Sequence, residues 1–313
     1  MKKNLFLTSN GTRLHTVSFG DSQNTPIVLL HGYPDNHQVW DAVASRLGEK
    51  FYVITYDVRG AGASDKPKLR ADYQLNVLVA DLANIADQLL PGRRFHLVGH
   101  DWGSVQGWEA VSTEPLKNRI ISFTSISGPC LNHVGHWLRQ RAFSLSLRGK
   151  VELLKQVISS WYVGVLHLPF LPQLAWSAGL DKLWPRYLCA WESVSAMTFN
   201  PSQREDGKYG VQLYRANLRN KLTTQEERYA DCPVQLIVPT QDKFVGAHLY
   251  EDLPRWAPNL YRREIYAKHW LPLTHPELLV AWITEFTSGV ETGCMSSRLQ
   301  HAKVRINRKN SRY

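Results

Sequence analysis

The stretch Gly99-His100-Asp101-Trp102-Gly103-Ser104 sets a carboxylate between glycines, directly after the apolar run Phe95-His96-Leu97-Val98. A small-X-nucleophile-X-small turn is too tight for a Cβ at its flanks, and it holds the central side chain up over a sheet edge. An aspartate there can attack an electrophilic carbon directly and form a covalent ester, with no base needed to activate it. Removing that ester takes water, a base and donors for the oxyanion. His31-Gly32-Tyr33-Pro34 closes a second apolar run, Pro26-Ile27-Val28-Leu29-Leu30, and a loop in that position offers a backbone N–H to the oxyanion. The expected amide donors are therefore Tyr33 and Trp102, the residue after the nucleophile. Asp242 and His269 each follow a further strand-like run, giving the chain order nucleophile, acid, histidine. They would supply a general base and the carboxylate that orients it. Of the 12 histidines, His275 is the main competitor, but Thr274-His275-Pro276-Glu277 reads as a helix start.

These groups can meet only at one end of a common sheet. Short apolar or β-branched runs predict strands at 26–30, 51–57, 95–98, 119–126, 233–238 and 261–266. Helical spacing predicts helices at 39–47, 77–90, from about Gly103, and at 276–287. Strands alternating with helices indicate a parallel α/β sheet, whose ligands bind beyond the carboxyl ends of the strands. After Ser127-Gly128-Pro129 the pattern changes. The segment up to Tyr229 is helical in periodicity and holds Trp137, Trp161, Trp176, Trp184 and Trp191. The chain thus divides into a core (residues 1–129 and 231–289), a helical lid (residues 130–230) and a basic tail (residues 290–313). No internal repeat is evident.

A hydrophobic content of 43% and a charged content of 20% are those of an ordinary globular protein. The net charge of +10 raises the question of nucleic acid. Much of it lies in the tail, where Arg298, Lys303, Arg305, Arg308, Lys309 and Arg312 face only Glu291. That tail lacks apolar periodicity and is expected to be unstructured, a solvated terminus without a specific partner. The N-terminus shows no signal-peptide core, and no run is long enough to span a membrane. Cys130, Cys189, Cys232 and Cys294 fit no metal-ligand spacing and are expected as reduced thiols in a cytoplasm.

The combination HGYP, RGAGASD, GHDWGS, QDKFV and KHW resembles the α/β-hydrolase superfamily, and specifically its epoxide hydrolases, over roughly residues 1–288. It is also similar to the hydrolase half of bacterial proteins that join such a domain to a short-chain dehydrogenase. No glycine-rich dinucleotide turn follows in the tail. The resemblance implies an α/β-hydrolase fold with an inserted helical lid and no metal or organic cofactor. It implies that Asp101 opens an epoxide while two lid tyrosines, Tyr162 and Tyr214, donate to its oxygen. Tyr187, Tyr209 and Tyr229 are the other lid tyrosines weighed. His269, oriented by Asp242, would then activate the water that releases a diol. Tyr33, Trp102 and Trp270 are expected to line the substrate site, and Arg59–Asp65 to brace the elbow from beneath. Lys268 stands where the family commonly has Gly, and a cation there is expected to depress the pKa of His269 or to alter the loop. The expected partners are a small apolar epoxide and water, with no specific nucleic acid and no membrane span, for a monomer or homodimer. Haloalkane dehalogenation by the same Asp101/His269/Asp242 set, and a non-catalytic small-ligand receptor, are the alternatives.

Overall fold

The computed structural model describes residues 2–114, 116–195 and 200–304. Its centre is an eight-stranded sheet in the order β1-β2-β4-β3-β5-β6-β7-β8. The strands are β1 (Lys3–Ser9), β2 (Thr12–Phe19), β3 (Pro26–Leu30), β4 (Tyr52–Tyr56), β5 (Phe95–His100), β6 (Ile120–Ile126), β7 (Val234–Pro239) and β8 (Leu260–Ile265). β1 pairs antiparallel with β2, and β2 with β4, while the remaining pairings are parallel. The β1–β2 hairpin precedes the first strand expected from sequence. It turns on Asn10 (φ 47°) and Gly11 (φ 78°), the pair that a two-residue hairpin loop favours.

The β3 strand shows why the parallel strands read as unbroken apolar runs. Val28 and Leu30 enter one core cluster and Ile27 and Leu29 the other, all fully buried. On the first face lie α2 (Leu75–Leu89), α3 (Trp102–Ser112) and α10 (Leu253–Trp256). On the second lie α1 (Asp41–Leu47), α11 (Leu271–Thr274) and α12 (Pro276–Thr292). Between β6 and β7 the chain makes α4 (Leu131–Phe143), α5 (Leu147–Ser159), α6 (Trp161–His167), α7 (Leu171–Ala175), α8 (Asp181–Glu192) and α9 (Gln203–Thr223). No helix among the described residues is long and apolar enough to cross a membrane.

The tail departs from expectation. α12 runs on to Thr292, and α13 (Ser297–Ala302) packs back on the sheet. Leu299 is fully buried with Tyr261 and Phe286, and Lys303 bridges to Tyr261 beside β8. Residues 290–304 are therefore folded, because Met295 and Leu299 give this short segment an apolar anchor that its charge obscures. Arg305, Arg308, Lys309 and Arg312 lie outside the described residues.

Candidate active site

Four loops at the carboxyl ends of β3, β5, β7 and β8 converge. The turn after β5 puts Asp101 at φ 53°, ψ −122°, strained backbone for a residue with a side chain. The neighbouring strands compel it: the Asp101 N–H donates to the Ile126 carbonyl (3.0 Å), and Gly103 lies against β3. A Cβ on Gly103 would stand 2.2 Å from the Leu30 carbonyl oxygen, so glycine alone fits there. The Tyr33 amide, in the loop after β3, donates to Asp101 Oδ1 at 2.7 Å. Among the described residues that is the backbone donor seen on the carboxylate; Trp102 opens α3 beside it.

Asp101 Oδ2 faces His269 Nε2 at 3.5 Å, and His269 Nδ1 meets Asp242 Oδ2 at 2.8 Å. Asp242 is fixed through its other oxygen by the amides of Phe244 and Val245 (2.8 and 3.0 Å). Burial opposes a charge on His269, but Asp242 and then Asp101 outweigh it and hold the pKa well above the ordinary value. Burial likewise works against ionised Asp101, yet His269, His100 and the Tyr33 amide hold it below the usual carboxylate range. Both shifts favour the charged forms, an imidazolium beside a carboxylate.

Lys268 does not act as expected. Its amine reaches the Trp191 carbonyl at the end of α8, and the pKa of His269 is raised, not depressed. The two carboxylates lie directly against the ring nitrogens and are the charges that raise it. Three groups not assigned a role from the sequence complete the surroundings of His269. Glu192 accepts the His269 N–H (3.0 Å), while His100 Nε2 bonds the His269 carbonyl (3.0 Å). Burial drives His100 down to about 4, so it is neutral and donates from that nitrogen. Phe244 sets its ring edge against the imidazole. His100 and Phe244 lie inside GHDWGS and QDKFV, where they were legible by position; Glu192 carried no signal. His275 begins α12 and bonds Thr274, away from this cluster.

The helices α4–α9 cover the site with two apolar chambers that meet at Asp101. One, of about 270 Å³, is walled by Tyr33, Trp161, Trp176, Trp184 and Trp270. The other, of about 310 Å³, is walled by Trp102, Val105, Leu131, Val163 and Leu218. Asp101, Tyr162, Tyr214 and Phe244 border both. Tyr187 instead stacks on Trp184, Tyr209 packs against the Tyr73 cluster, and Tyr229 is exposed beside Glu227. Burial and the nearby Asp101 charge push both Tyr162 and Tyr214 above the ordinary phenol, so each stays protonated as a donor. The Tyr33 hydroxyl is already engaged, donating to the Gly207 carbonyl (3.1 Å) and accepting from Trp176 (2.9 Å). The Trp270 indole N–H is spent on Asp35 (2.9 Å), whose pKa burial raises to about 7. Tyr33 and Trp270 therefore offer the chamber ring surface only.

The RGAGASD segment makes buried contacts to α2 and α9. Arg59 forms a buried pair with Asp81 (2.6 Å) and the Gly62 amide donates to Asp206 of α9 (2.7 Å), while the Val58 amide, just before the segment, donates to His31 Nε2 (3.0 Å). It supports the Tyr33 loop and the covering helix. Among the described residues, His15, His37 and Asp57 come close enough together to hold a cation. Both imidazoles already bond Asp57 through Nδ1 (2.9 and 2.7 Å), so the group reads as a brace behind that same loop.

A family model described as alpha/beta hydrolase fold matches residues 25–150. "Probable oxidoreductase EphD" of Mycobacterium tuberculosis is 30% identical over 308 residues, 94% of this chain and 51% of that protein. The chain thus spans about half the length of that relative. "Epoxide hydrolase 3" of Xenopus tropicalis is 26% identical over 298 residues, 90% of this chain and 76% of that protein. Among solved structures, an epoxide hydrolase of Bacillus megaterium in complex with an inhibitor superposes with a TM-score of 0.74 at 20% identity, covering 91% of this chain and 100% of the other. Strand order, elbow geometry, family match and relatives agree: the chain has the α/β-hydrolase fold.

Proposed function

We propose that this chain opens epoxides to vicinal diols through an ester on Asp101. The observation that carries the reading is the placement of a partly buried aspartate between its proposed base, 3.5 Å away, and two phenols across a divided apolar chamber. Asp101 Oδ1 is held by the Tyr33 amide, which leaves Oδ2 to attack a ring carbon. As the C–O bond breaks, the epoxide oxygen takes charge, and Tyr162 and Tyr214 donate to it. Esterification removes the Asp101 charge, one of the two anions that keep His269 protonated. The imidazolium then gives up its proton as the new alkoxide takes one, and the neutral ring takes a proton from water, which attacks the ester carbonyl. Collapse breaks the acyl C–O bond, releases the diol and restores the carboxylate and the imidazolium. The oxyanion develops on Oδ1, where the Tyr33 amide already points and the Trp102 amide is the second donor proposed.

Relatives carrying the name epoxide hydrolase support this reading. The scheme uses no metal or organic cofactor. Residues 130–230 act as the lid over a core of residues 1–129 and 231–289. Free thiols at all four cysteines accord with a cytoplasmic setting. Two chambers meeting at the nucleophile favour an epoxide with an apolar substituent on each carbon. Diol formation from styrene oxide, trans-stilbene oxide and an epoxy fatty acid tests the proposal. Turnover should favour the disubstituted compounds, vanish in Asp101→Asn, and fall about 10²–10³-fold in the ester-forming step of Tyr214→Phe. Halide release from bromoalkanes that survives Tyr214→Phe, with no diol from any epoxide, would replace it with the dehalogenase reading.

A further inference from the structure

Helix α5 is built inside out. Leu147, Val151, Leu154 and Ile158 are spaced to share one face, and they are 80%, 43%, 59% and 63% exposed. The buried residues of the helix are Gly149 and Gln156. Gln156 holds it down through His248 Nε2 (2.6 Å). A globular helix ordinarily turns its apolar stripe inward, so a stripe facing water marks an interaction surface. The exposed apolar surface continues along the chain through Trp161, Phe170 and Leu174.

We propose that this face docks on an anionic lipid surface. Arg148, Lys150 and Lys155 are exposed and flank the stripe. Glu152 is the sole acid between residues 143 and 180, and it is paired with Arg148 (2.8 Å) and Arg141 (3.6 Å). An apolar stripe edged by cations, with a tryptophan at its end, is the pattern of a helix lying in the plane of a bilayer. The chain as a whole carries +10, which adds long-range attraction to such a surface. A second copy seated face to face would instead oppose these cations to themselves. Trp161 is 69% exposed and also walls the first chamber, so the docked face leads to the site. Delivery of an apolar epoxide from lipid rests on the hydrolase reading; docking itself does not.

Flotation of the full chain with phosphatidylcholine vesicles, with and without phosphatidylglycerol, tests this. The protein should float with the anionic vesicles and less with the neutral ones. Leu154→Glu/Ile158→Glu should reduce the bound fraction at least about tenfold, with the unfolding midpoint and styrene oxide turnover unchanged. If that pair perturbs folding, Lys150→Glu/Lys155→Glu should abolish the preference for anionic vesicles. No flotation, flotation indifferent to both variants, or a dimer in sedimentation that either variant dissolves would overturn the proposal. Failure of the epoxide chemistry would appear separately, as absence of diol from a protein that still floats.

Discussion

At the residue scale, one imidazole lies between two carboxylates, and charge bookkeeping decides when it can act. Asp242 is the largest influence raising the pKa of His269, and Asp101 is the other. Asp242→Asn should therefore lower that pKa. The acidic limb of kcat, which reports protonation of the base, should move to lower pH, while kcat falls about 10²–10⁴-fold as the ring loses its orienting partner. A pH–rate profile of variant and parent checks both changes; an acidic limb that moves upward contradicts the assignment. Asp101, Asp242 and His269 were legible because each stands just past a strand-like run in a recognisable motif. Glu192 was not, since its bond to the His269 amide comes from the end of a helix 77 residues away, which no local pattern announces.

At the scale of elements, the position of Tyr214 depends on how α9 is seated. Asn217, one turn further on and buried, accepts from the Leu75 amide (2.8 Å) and donates to the Tyr73 carbonyl (2.8 Å), tying α9 to the start of α2. Asn217→Ala would leave both backbone groups buried without that partner, at a cost of about 1–3 kcal/mol. The expected result is a lower unfolding midpoint together with slower ester formation, because Tyr214 rides on the same helix. Loss of stability alone, with single-turnover rates unchanged, would separate the two. The parallel strands were legible as apolar runs, being buried on both faces. The β1–β2 hairpin was missed although Asn10-Gly11 announces it, since Leu5 and Phe6 are half-exposed and break the expected alternation. The boundaries of the covering helices could not be read, because several of their apolar residues face water.

At the scale of the whole molecule, the chain closes on its own sheet through α13, and the charge of the tail concealed it. Leu299→Ala should cost about 2–3 kcal/mol by opening a cavity against Tyr261 and Phe286, measured as a shift in denaturant midpoint. A neutral effect would mean that α13 adds nothing to the core. β8, which leads into the His269 loop, is held between its pairing with β7 and this closure. The proposed reaction turns on a covalent intermediate. The measurement that bears on it most directly is the mass of His269→Gln after incubation with trans-stilbene oxide. The account predicts a gain equal to one epoxide molecule, localised to the peptide containing Asp101 and persisting because its hydrolysis has lost its base. An unmodified protein that nonetheless still produces diol, or a mass gain on any other residue, would contradict it.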